Sequence, residues 1–114
     1  MNKDRYQTMF KSQIVKLAGV SFDGAQENIR QWGCRDIGYY AMVRVLDNPH
    51  DTNAIKVALF GHYFMGYVPR HLARTLAPMM DAGRSFIAEF VSVNQAPGQP
   101  LIGLTIRIVE TTNS

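Results

Sequence analysis

The sequence predicts a mostly β, α+β domain: a small antiparallel barrel or open sheet with one or two short helices. Three observations lead there. Ile102, Leu104, Ile106 and Ile108 alternate with Thr105 and Arg107, the period-two pattern of a strand with one buried face. Several other short β-rich runs are separated by Gly, Pro and Asx turn chemistry. Apolar residues recur at helical spacing only after Pro69, at Leu72, Leu76, Met79 and Met80. Without repeated strand–helix alternation, a parallel α/β architecture is disfavoured.

In chain order, residues 1–13 are polar, lack a sustained period and read as a flexible lead-in. The run from Ile14 to Phe22 reads as a strand ended by the turn pair Asp23-Gly24. Ala25 to Gly38, rich in polar residues and holding Trp32 and Cys34, reads as a long functional loop with room for one helical turn. Tyr39 to Leu46 is the next strand. Asp47-Asn48-Pro49-His50-Asp51-Thr52-Asn53 is nearly all turn chemistry: Asx side chains bond their own backbone and Pro49 fixes φ, so a compact loop is expected. Ala54 to Phe60 forms a strand with Ile55, Val57 and Leu59 inward. Gly61-His62 suits a type II′ hairpin turn, returning Tyr63 to Val68 antiparallel. Pro69 opens the helix, Pro78 is expected to kink or restart it, and Gly83 is placed to end it. Phe86 to Val93 is a strand, the loop Gln95 to Pro100 leads into the final alternation, and 111–114 is a polar tail.

A chain of 114 residues with 46% hydrophobic and 18% charged residues is a globular composition of single-domain size, and we place the domain at residues 14–110. One cysteine, Cys34, excludes an intrachain disulfide framework and points to a reducing compartment. There is no apolar leader in Met1 to Phe10 and no run of about 18 apolar residues, so a soluble, cytoplasmic protein is expected. The formal charge of +3 permits a polyanionic partner without requiring one.

Neither G-x-x-x-x-G-K-[ST] nor G-x-G-x-x-G occurs, so nucleotide hydrolysis lacks its phosphate-binding parts. Gly19-Val20-Ser21 lacks the second glycine of a nucleophile elbow. His50, Asp51, His62 and His71 are chemically able to bind a divalent ion, but no paired-histidine spacing or calcium-loop pattern supports them. No metal or cofactor is assigned. Cys34 reads as a small buried or half-buried residue. Nucleic acid fits better: Tyr39, Tyr40, Tyr63, Phe64 and Tyr67 offer rings for stacking, and Arg44, Lys56, Arg70, Arg74 and Arg107 offer phosphate contacts. The competing role for such rings is core packing. Rival functional classes are a metal-dependent phosphoesterase using His50, Asp51 and His71, and a protein-interaction module using a sheet edge or loop 95–100.

The block Asn48-Pro49-His50-Asp51-Thr52-Asn53-Ala54-Ile55-Lys56-Val57 resembles the N-P-x-D-x-N-A-I-x-V block of the HIRAN domain, a module found alone in bacteria and phages and fused to helicase-like proteins in eukaryotes. Gly19-Val20-Ser21-Phe22 with Gln26 after it, Met65-Gly66-Tyr67-Val68-Pro69, and Leu72 through Pro78 with Gly83 beyond match in the same order. The resemblance spans about Ile14 to Val109. It implies a small OB-like antiparallel β-barrel with short helices, no enzymatic activity, and binding of single-stranded DNA or DNA 3′ ends in repair or processing. Carried over by position, the residues it implies for DNA binding are Phe22, Asn48, His50, Asp51, Tyr67 and Arg70. Two positions depart from the helicase-linked pattern. Ser21-Phe22-Asp23 replaces an arginine with paired aromatics, and His50 stands where an aromatic is usual. Asp51 has two available roles: acceptor for a terminal 3′-hydroxyl, or an Asx turn onto the amide of Asn53.

Overall fold

The computed structural model describes residues 10–111; most of the expected lead-in and the end of the tail lie outside them. The strands are β1 (Gln13–Lys16), β2 (Tyr39–Arg44), β3 (Ile55–Leu59), β4 (Tyr63–Tyr67), β5 (Ser85–Asn94) and β6 (Gly103–Thr111). Helices α1 (Ala25–Trp32) and α2 (Arg70–Asp81) and a 3-10 turn over Arg35–Ile37 complete the fold. All strand pairs are antiparallel, in the order β1-β6-β5-β2-β3-β4. The sheet curls until its edges meet. Just beyond β1, Ala18 exchanges both backbone hydrogen bonds with Tyr67 at the end of β4, each at 2.8 Å. The expected OB-like architecture, a curled antiparallel sheet with two helices, is what forms.

Side-chain alternation drives the curl. Leu104, Ile106 and Ile108 of β6 are fully buried and join Ile55, Val57, Met65, Leu72 and Leu76 in one core. Burying each such side chain is worth about 1.5–3 kcal/mol, more than the net value of a typical hydrogen bond, so the enclosed apolar face is the main adhesive. Tyr40 belongs to this core and is not a stacking platform. It is wholly buried and donates its hydroxyl to the Trp32 carbonyl (2.7 Å), and burial, with the nearby Cys34 thiol, pushes its phenol up to about 12.

Several local expectations are corrected. The first strand stops well short of Phe22, because Gly19 turns left-handed (φ 63°) and Asp23 and Gly24 follow at φ 50° and 79°. The segment leaves the sheet as successive turns, with Phe22 N–H on Gly19 O and Ala25 N–H on Phe22 O. Residues 25–32, expected as loop with room for one helical turn, form the two-turn helix α1, which buries Ala25 and Ile29 and sets Trp32 against the core. Eight residues make a marginal helix alone, so tertiary contacts hold it. The Gln26 amide donates to Val20 O (2.8 Å) and Ile102 O (2.9 Å) and accepts from Ile102 N–H (2.8 Å), and Asn28 Nδ2 donates to Phe64 O (2.8 Å).

The hairpin turn lies one residue earlier than expected. His62 N–H donates to Leu59 O with Phe60 at φ 56° and Gly61 at φ 72°, a type I′ turn centred on Phe60-Gly61. Helix α2 does not restart at Pro78 but continues to Asp81. Pro78 forfeits only the bond its missing N–H would make to Arg74, near the helix end, while Leu72, Ala73, Leu76 and Ala77 anchor the buried face. Cys34, expected as buried or half-buried, is exposed, being held in the connection between α1 and the 3-10 turn. No helix among the described residues is long and apolar enough to cross a membrane.

At the end of the β5–β6 ladder, Arg84 grips Glu110 through two bonds of 2.7 Å, Nε to Oε2 and Nη2 to Oε1, and Phe10 N–H adds a third to Oε1 (3.1 Å). The Arg84 guanidinium, with Phe10 N–H assisting, holds the Glu110 carboxyl down at about 2. Phe10 completes the junction by packing edge-on against Phe86 at 5.4 Å.

Candidate nucleic-acid interface

Where the sheet edges meet, a cleft of about 230 Å³ opens, lined by Gly19 and Phe22 from the first turn, Asn48 and Asp51 from the loop before β3, and Tyr67 and Arg70 from the junction of β4 and α2. Of the six residues implied by the family resemblance, all but His50 line it. His50 lines an adjoining pocket of about 280 Å³ with Thr52, Asn53 and Arg74, and Asp51 and Arg70 form part of both walls.

Two backbone devices present the rings. Along β4 the register shifts: Val57 opposes Gly66 but Ala58 opposes Phe64, leaving Met65 as the extra residue of a bulge. Phe64 and Tyr67 thereby come to one side and pack edge-on at 5.0 Å. On the opposite wall, the turns at Gly19 and Asp23-Gly24 leave Phe22 outside the core, 57% exposed. An apolar ring this exposed at a cleft suits contact with a ligand's flat face.

The loop is organised by its own side chains. Asn48 Oδ1 accepts from His50 N–H (2.9 Å) and Asp51 N–H (3.2 Å), and Asp51 Oδ1 accepts from Asn53 N–H (2.9 Å). The Asx-turn role is therefore real for Asp51 and Asn48. The other Asp51 oxygen, Oδ2, lies 3.6 Å from Arg70 Nε, an ion pair spanning loop and helix. Asp51 is mostly buried in this arrangement and Arg70 is largely exposed, so the guanidinium retains most of its surface for another anion.

Arg44, among the candidate phosphate contacts, is committed elsewhere. It donates to the carbonyls of Ala54 (3.0 Å) and Thr52 (2.9 Å) and, by two bonds, to Asp81, tying the loop to the end of α2. That guanidinium holds the Asp81 carboxyl below its usual range. Tyr63 is likewise occupied, packed on Trp32 at 4.2 Å. Tyr39 is exposed but does not line the cleft; with Phe60 it lines a separate apolar groove of about 500 Å³. No group of three or more His, Cys, Asp or Glu among the described residues is placed to hold a metal ion, so His50, Asp51 and His71 do not assemble the centre a metal-dependent phosphoesterase needs. Sequence reasoning passed over Gly19 as a cleft residue. Arg74, expected among the phosphate contacts, lines the adjoining pocket, and it stands four residues from Arg70 on the same face of α2.

Comparison with known proteins decides the family. The model of the HIRAN domain matches residues 10–109, nearly the whole chain. The chain belongs to the HIRAN family. HIRAN domains are known as DNA-binding modules. Among solved structures, a protein from Lactobacillus plantarum superposes with a TM-score of 0.61 at 22% identity, over 87% of this chain and 99% of that one. The HIRAN domain of human HLTF superposes with a TM-score of 0.60, also at 22% identity, over 88% of this chain and 76% of that one. Both likenesses are of fold. No curated protein matches the chain.

Proposed function

We propose that this HIRAN domain is a non-enzymatic DNA-binding module that holds single-stranded DNA, at a 3′ end, in the cleft between the first turn and the start of α2, in the service of DNA repair or processing in the cytoplasm. The observation that carries the reading is the convergence of Phe22, Tyr67, Asn48, Asp51 and Arg70 on one cleft. Phe22 and Tyr67 supply stacking surfaces for bases. Arg70 meets a backbone phosphate with the guanidinium surface left outside its ion pair. Asn48 and Asp51, locked by their Asx bonds, hold the loop that abuts the strand end, with His50 at its outer side. Rigid polar loops position a ligand at little entropic cost.

Fluorescence anisotropy of a labelled single strand against a duplex of the same sequence, across salt, tests the reading. With few phosphate contacts, the log–log salt slope for the single strand is expected on the order of −1 to −3, about 0.7 per contact. Absence of binding to any oligonucleotide at low salt refutes it, and equal affinity for duplex refutes the single-strand preference.

A further inference from the structure

We propose that the apolar groove beside the β3–β4 turn is a self-association surface, on which a second copy of this chain docks about a two-fold axis and seats its Phe60 ring. Buried Leu59 and half-buried Ile37 and Ala41 line the groove, and Tyr39 and Phe60 stand out beside them, 58% and 84% exposed. It shares no lining residue with the DNA cleft, so the inference is independent of the strand-binding reading. Phe60 is the residue that asks for a partner. A bulky side chain at φ 56° is sterically disfavoured in a turn whose first central position suits Asn or Asp, and its ring gains little burial within the chain in return. Backbone strain kept together with an exposed aromatic points to recognition and not to folding.

Three features select a second copy over other occupants. The charged residue in the groove lining is Asp36, with no cation beside it in that lining, so a DNA backbone would meet repulsion there. The protruding ring and the groove are neighbours on one face, and a two-fold axis between two such faces seats each ring in the opposite groove. That is the self-complementarity an isologous interface requires. Arg35 and Asp36 stand side by side on the 3-10 turn, both exposed and neither with an ion-pair partner among the described residues. A partner carrying charge of one sign would meet a like charge at one of them, whereas a copy rotated by the two-fold sets Arg35 against Asp36 twice. Six lining residues a side fall short of the roughly 20–30 of a standard interface, so the association is weak and concentration-dependent. Both DNA clefts stay open in the pair.

Sedimentation equilibrium of the full chain over rising concentration tests this. A reversible monomer–dimer equilibrium is expected, stopping at two chains because a two-fold contact closes on itself. Phe60→Asn is expected to raise the dissociation constant at least about tenfold, since the pair loses two rings that each act as an interface anchor. The same variant keeps its fold, because asparagine suits the turn, and thermal unfolding in dilute, monomeric solution verifies it. Arg35→Asp alone and Asp36→Arg alone are each expected to weaken the dimer about threefold or more at low salt. The two exchanges together are expected to restore it, a rescue that mere damage to the 3-10 turn would not give. A single-chain mass at every concentration up to about 1 mM, a dimer that survives Phe60→Asn, association that continues past two chains, or no rescue by the double exchange overturns the inference. Anisotropy with a single strand in dilute protein is expected to be unchanged by Phe60→Asn. A loss of DNA affinity in that variant would put the ring at the DNA site and overturn the inference as well.

Discussion

Gly19 lies directly against Tyr67: a Cβ on Gly19 would stand 2.9 Å from Tyr67 Cδ2, and 3.2 Å from Cδ2 of Phe22. The missing side chain is what lets the two rings share one cleft while the chain turns left-handed at φ 63°. This position links the backbone chemistry of a turn to the shape of the candidate binding surface.

Gly19→Ala is therefore expected to cost roughly 1–2 kcal/mol of stability through the left-handed backbone and, in addition, to weaken single-strand binding by displacing the rings. Gly24→Ala is the control. Gly24 has a similar φ of 79° but nothing within 4 Å of its added Cβ, so it should lose stability and keep its affinity. Urea denaturation and anisotropy on the two variants separate strain from ring displacement.

Tyr67→Ala should reduce affinity for single-stranded DNA by about 5- to 150-fold, the value of one lost base–aromatic stack of about 1–3 kcal/mol. Folding should suffer less, because the closing bonds to Ala18 use the Tyr67 backbone, not its ring. If chemical denaturation shows several kcal/mol lost at unchanged affinity, Tyr67 is a packing residue.

The Arg84–Glu110 pair predicts an acid-sensitive contribution to stability. Glu110 is held at about 2, below its ordinary 4.5, so the folded state binds its proton less readily than the unfolded chain. The stabilisation is complete above about pH 4.5 and is lost as the pH falls toward 2. Glu110→Gln should thus unfold at a lower temperature than the parent at pH 7, with the gap closing by about pH 2. A gap that stays constant from pH 7 to 2 would show that the charge is immaterial.

Phe60→Asn should stabilise the protein. Phe60 sits at φ 56° in the type I′ turn and is 84% exposed, so it bears a left-handed backbone cost of roughly 1–2 kcal/mol without burying its ring. Asparagine tolerates this conformation and suits the first central position before glycine. A rise in the unfolding temperature is the expected result, and a fall would show that the Phe60 ring packs usefully against Leu59 and Tyr39 in their groove.

Much of this was legible in the sequence because it is local. The alternation from Ile102 to Ile108 specified a strand and its buried face, since side chains two apart must point the same way. The loop from Asn48 to Asn53 carries its own geometry, because Asn48 and Asp51 bond amides two and three residues ahead without help from elsewhere. The most specific family motif lies in this self-contained segment, so Asn48, His50 and Asp51 could be named before their neighbours were known.

What the tertiary structure alone decided depends on partners distant in sequence. Helix α1 exists because Gln26 and Asn28 find the backbone of Ile102 and Phe64, although Ala25, Ile29 and Trp32 already stood at helical spacing. Arg44 turned from candidate phosphate ligand to loop anchor because Asp81 and two carbonyls surround its guanidinium, and Tyr40 turned from candidate platform to core because Trp32 offers its hydroxyl a buried acceptor. The cleft itself has the same origin. Gly19 and Phe22 meet Tyr67 and Arg70 only because the curled sheet joins Ala18 to Tyr67, a closure set by the burial of a shared core and not by either segment's own preferences.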